Sequence, residues 1–78
     1  MKRITVSIRK FEEVGRFVNI VDRMTGDVDL KYGRYIVDAR SVVGVATLVG
    51  VKALELCMHE VQDSRIEAQL QHFVCCAV

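Results

Sequence analysis

The spacing of apolar residues in this chain switches repeatedly between two and about 3.6 residues, and the switches follow one another without a linker. Ile4-Thr5-Val6-Ser7-Ile8 alternates strictly, which predicts a half-buried strand with Ile4, Val6 and Ile8 on one face. From Phe11 the period lengthens. Phe11, Val14, Val18 and Val21 form one stripe, widened by Phe17 and Met24, and Glu12, Glu13, Arg16, Asn19, Asp22 and Arg23 fill the opposite side. This predicts an amphipathic helix, stopped by Thr25-Gly26-Asp27 with Gly26 at the left-handed position. Val28, Leu30 and Tyr32 alternate again, Gly33-Arg34 fits a type II′ hairpin turn, and Tyr35–Ala39 returns. Ser41 opens a short apolar helix, Gly50 punctuates the chain, and Ala53–His59 reads as a fourth strand. Ser64 and Glu67 form an S-x-x-E capping box before a last helix with Ile66, Leu70, Phe73, Val74 and Ala77 on one stripe.

The resulting order is β-α-β-β-α-β-α. Four one-sided strands and three one-sided helices have one economical solution, an α+β open-faced sandwich: an antiparallel sheet with every helix on a single face. Residues 1–78 are read as one domain, without repeats or low-complexity segments.

Composition narrows the function classes. Eleven basic and ten acidic residues are interspersed, a balance that gives no support to binding nucleic acid or an anionic membrane. No apolar run approaches the ~20 residues of a membrane span, and the start shows no signal peptide. Three cysteines, two of them adjacent, make no disulfide framework, so a reducing cytoplasm is the expected setting. Cys57 and His59 share a strand face, and His72, Cys75 and Cys76 share a helical one. One helix supplies no complete ligand set, so neither metal nor cofactor is expected. Cys75-Cys76-Ala77-Val78 matches C-a-a-X in form, but Val is an unusual last residue for prenylation.

The segment around Ser41 is the most unusual. A serine before an apolar run is placed to cap a helix. Val42, Val43, Val45 and Leu48 then leave little polar surface on so short an element. With Val45 and Leu48 facing the core, Val43 and Ala46 are at best half covered, so Val42, Val43 and Ala46 are expected to form a contact surface, the alternative being that they pack against the sheet or a second copy of the chain.

Arg40-Ser41-Val42-Val43-Gly44-Val45-Ala46-Thr47-Leu48, together with the element order, resembles the HPr family, the small phosphocarriers of the bacterial sugar phosphotransferase system. The resemblance implies the open-faced sandwich and a docking role for Val42, Val43 and Ala46, with Arg40 beside them. It also implies that Ser41 matches a serine phosphorylated by a dedicated kinase in a subset of the family, whose product acts as a corepressor. A phosphate there would meet the free N–H groups and positive dipole end of a helix, with Arg40 in position to assist. Implied partners are phosphotransferase components, a serine kinase or a transcriptional regulator.

The family carries its phosphoryl group on a histidine before the first helix, in a His-x-Arg-Pro pattern. Here Ile8–Val18 contains no histidine, the chain has no proline, and the loop reads as about three residues short. Arg9 and Lys10 can attract an anion but cannot replace imidazole as a phosphoryl carrier, and Glu12 and Glu13 repel one. His59 falls at the opposite end of the sheet, and His72 reads as a partly exposed residue of the last helix. The expectation is a non-enzymatic regulatory or protein-binding module. The alternatives are a phosphoacceptor at Ser41 and a carrier that uses a non-standard residue. The first helix is expected to begin near Lys10-Phe11, without an ordered loop.

Overall fold

A computed structural model describes residues 1–74. The elements are β1 (Lys2–Val6), α1 (Glu12–Asp22), β2 (Val28–Tyr32), β3 (Tyr35–Asp38), α2 (Val42–Ala46), β4 (Leu54–Met58) and α3 (Ser64–Ala68), which runs into a 3-10 turn at Gln69–His72. The four strands form one antiparallel sheet in the order β1-β4-β2-β3. This is the α+β open sheet expected from the sequence.

Alternation in the strands decides which face is covered. Val6, Val28, Leu30, Leu54, Leu56 and Met58 point to the helices and are buried, while Arg3, Asp29, Lys31 and Glu55 point the other way. Val14, Phe17 and Val21 of α1 close the core, and Phe73 meets Phe17 edge to face at 5.3 Å between ring centroids. Gly33 has φ of 60° and Arg34 does not share its positive φ, as a type II′ turn requires. Gly26, at φ 72°, turns the chain after α1.

Several boundaries differ from the sequence reading, each for a local reason. β1 spans Lys2–Val6 rather than Ile4–Ile8. Ser7 and Ile8 leave the ladder because Ser7 N–H donates to Phe73 O (2.8 Å) and Ile8 O accepts from Gly50 N–H (2.9 Å). Ile8 is nevertheless fully buried. Phe11 is not a core residue: it occupies the N-cap of α1 and is exposed. The helix begins one residue later, at Glu12, close to the expected start, but it does not follow the strand directly: with β1 ending at Val6, residues 7–11 form an ordered connection held by Phe73, Gly50 and Glu13.

Asp63, not Ser64, caps α3. Its carboxylate accepts from Arg65 N–H at 2.8 Å, and Glu67 turns to Lys2 instead of completing a capping box. The last helix is shorter than its apolar stripe suggested. A 3-10 turn brings Leu70 and Phe73, three residues apart, onto the core, whereas Val74 bridges to Val6 and is partly exposed. Ala77 and the pair Cys75 and Cys76 lie outside the described residues.

Candidate functional site

α2 is built by hydrogen bonds from the chain that enters it. Asp38 ends β3 with its Oδ1 accepting from Arg40 N–H (2.9 Å) and its carbonyl accepting from Ser41 N–H (2.9 Å). This turns the strand sharply toward the helix. Ser41 keeps an extended backbone, and its Oγ accepts from Gly44 N–H at 3.1 Å, the N-cap geometry anticipated from sequence. A Cβ on Gly44 would lie 3.0 Å from the Cβ of Val37, so glycine lets the helix approach β3 closely. Tyr35 Oη and Thr47 Oγ1, 3.3 Å apart, tie the far end of α2 to the same strand.

The valines divide as expected. Val45 is fully buried and Leu48 nearly so, while Val43 is 77% and Val42 55% exposed, with Ala46 half-buried between the two sides. A five-residue helix has only one inward stripe, so two β-branched apolar side chains remain in water.

Arg40 does not join that face. Its guanidinium donates to Gly26 O (2.8 Å) and to Met24 O, the carbonyls that follow α1. It is a brace between α1 and the β3–α2 turn, and this engagement replaces the role beside Ser41 that adjacency in sequence implied.

The start of α1 is organised differently. Phe11 offers no side-chain cap. Glu13 supplies the polar contacts, with Oε1 accepting from Arg9 N–H (3.2 Å) and Oε2 2.6 Å from His72 Nε2. The His72 hydrogen bond is the main cause that holds the Glu13 carboxyl below the usual carboxylate range. An open cavity of about 430 Å³ lies beside this end, lined by Ser7, Ile8, Arg9, Gly50, Val51 and Lys52. Nothing in the sequence announced the contact between His72 and Glu13. The two are 59 positions apart, and only the docking of the last turn against β1 brings them together.

His59 pairs with Asp29 at 2.9 Å, beyond the Met58 end of β4 and beside Lys2. That is the end of the sheet opposite the start of α1, as the antiparallel β1–β4 pairing requires. Cys57, between Arg3 and Asp29 in register, is buried on the open sheet face. Burial and Glu55, whose Oε1 accepts from its thiol (3.4 Å), push its pKa up, the reverse of an activated thiolate. Among the described residues no three His, Cys, Asp or Glu side chains are grouped to hold a metal ion, and no helix is long and apolar enough to cross a membrane.

No protein-family model, curated protein or solved structure gives a significant match to the chain.

Proposed function

We propose that this chain is an HPr-like regulatory or protein-binding module that docks a partner protein through the outward face of α2. One observation carries the reading: Val43 is 77% exposed on the same five-residue helix whose Val45 is fully buried. Uncovered β-branched side chains on a braced, capped helix form a rigid apolar knob suited to a complementary groove. The Arg40–Leu48 pattern and the strand order support the kinship. The lack of any histidine in Ile8–Val18 argues that histidine phosphotransfer in that loop is absent. A cytoplasmic setting and partners among phosphotransferase components or transcriptional regulators belong to the same proposal. Ser41, at the base of the knob and half-buried, is the position at which a serine kinase would add charge to the face.

A photo-crosslinking residue at position 42, expressed in the native host, tests the reading. It should yield a discrete adduct with a second protein, or with a second copy of the chain, that the same residue at Arg34 on the hairpin tip does not. Adducts that are absent or identical at both positions count against a docking face.

A second reading, a phosphoryl carrier on a non-standard residue, is favoured by His72. A carboxylate partner on Nε2 fixes the orientation of the imidazole and leaves Nδ1 as the nitrogen to carry a phosphoryl group. Incubation with phosphoenolpyruvate and the general phosphotransferase enzyme, followed by intact mass, separates the two readings. The docking module stays unmodified, and the carrier gains one acid-labile phosphate that is lost in His72→Gln.

A further inference from the structure

A second feature lies on the outer side of α1. Arg16, Asn19 and Arg23 fall at i, i+3 and i+7 and so share one helix face. Gln69, at the start of the 3-10 turn, stands across from them, and nearly buried Ile20 completes the lining of a cleft of about 320 Å³. No carboxylate lines it. Among the described residues neither guanidinium donates to a protein acceptor, whereas Arg40 is spent on two carbonyls and Arg3 lies 3.7 Å from Glu55. Two guanidiniums with Asn19 between them, Gln69 across from them and no carboxylate in the lining make a cleft whose donors suit an anionic acceptor.

We propose that this cleft binds a small molecule carrying two phosphoryl groups, a diphosphate or a bisphosphate. Arg16 and Arg23 are seven residues apart, about 10.5 Å along the helix axis. One compact oxyanion satisfies one guanidinium fork; two linked phosphoryl groups satisfy both. Asn19 and Gln69, between and opposite the arginines, donate to the remaining oxygens or to a hydroxyl of the same ligand. The volume lies at the small-molecule end of ligand sites, roughly 300–1,000 Å³. This site is independent of the α2 face, so the failure of either proposal leaves the other standing.

The test is titration of the isotope-labelled full chain with pyrophosphate and, separately, inorganic phosphate at low salt, followed by nuclear magnetic resonance. The side-chain amides of Asn19 and Gln69 and the guanidinium Nε–H of Arg16 and Arg23 should shift saturably. Pyrophosphate should bind about tenfold more tightly than phosphate, the scale of one additional charged hydrogen-bonding contact. Arg16→Gln or Arg23→Gln should bring pyrophosphate affinity down to that of phosphate. Both arginines are exposed, and retained amide dispersion verifies the fold of each variant. Equal affinity for the two anions, shifts confined to Arg9 and Lys52, or variants that bind like the parent would each overturn the proposal. The shift map of the parent chain decides the location even if a variant fails to fold.

Discussion

The start of α1 and the start of α2 solve the same problem, free N–H groups at a helix end, with opposite consequences for the surface. At α1 the backbone takes its own first-turn donors, Glu13 N–H to Lys10 O (3.0 Å) and Val14 N–H to Phe11 O (3.1 Å), and the side chains there serve other partners. Glu13 reaches back to Arg9 N–H and across to His72, and Glu12 adds a second carboxylate to the first turn. The polar groups there satisfy one another. At α2 the solution is a single local hydroxyl, Ser41, and the rest of the helix is apolar on both sides. The comparison teaches that exposure alone does not mark a docking face. Phe11 is as exposed as the α2 valines, yet it is a lone side chain at an end rich in charge, whereas Val42 and Val43 are adjacent on an element with no polar alternative.

If α2 has an inward and an outward half, substitutions on it must differ sharply in cost. Val45→Asp should have the largest effect and abolish cooperative urea unfolding. An unpaired buried carboxylate costs several kcal/mol against a total stability of about 5 kcal/mol for a domain of this size. Arg40→Met should follow, at about 2 kcal/mol, because it removes charge-assisted hydrogen bonds to Met24 O and Gly26 O and releases the brace under α2. Ser41→Ala should cost about 1 kcal/mol, the usual worth of an N-cap. A far larger loss would give the serine a structural role beyond capping.

The α1 end is sharpened by pH. The Glu13 carboxyl titrates below its ordinary value, chiefly through its hydrogen bond to His72. The folded state therefore binds fewer protons at this group than the unfolded chain. Its stabilisation is fully present above the unfolded carboxyl pKa and is lost as pH falls through the lower folded value. In urea melts, the parent chain should exceed Glu13→Gln in stability at neutral pH, and the gap should close in acid. A gap independent of pH would show that the pair between Glu13 and His72 does not form.

What could be read in the sequence was whatever depends on near neighbours or on one-sided burial. Strict alternation in Val28–Tyr32 and Leu54–Met58, the Ser41 cap and the split between Val45 and Val43 all rest on such effects. What escaped depends on long-range partners. Ser7 and Ile8 left the strand for Phe73 and Gly50, Arg40 turned from Ser41 to the carbonyls after α1, and Glu67 exchanged a capping role for Lys2. Asp63 displaced Ser64 as a cap although both are competent, and the residue before it, Gln62, is held through its amide by the carbonyl of Thr25, 37 positions away.

Val43→Asp should have the smallest effect on stability of all, and it tests the docking account most directly when read with the crosslink from position 42. The account predicts an unfolding free energy within about 0.5 kcal/mol of the parent, the usual range for an exposed site, together with loss of the adduct. A stability loss approaching that of Val45→Asp, or an adduct undiminished by the new charge, would contradict it.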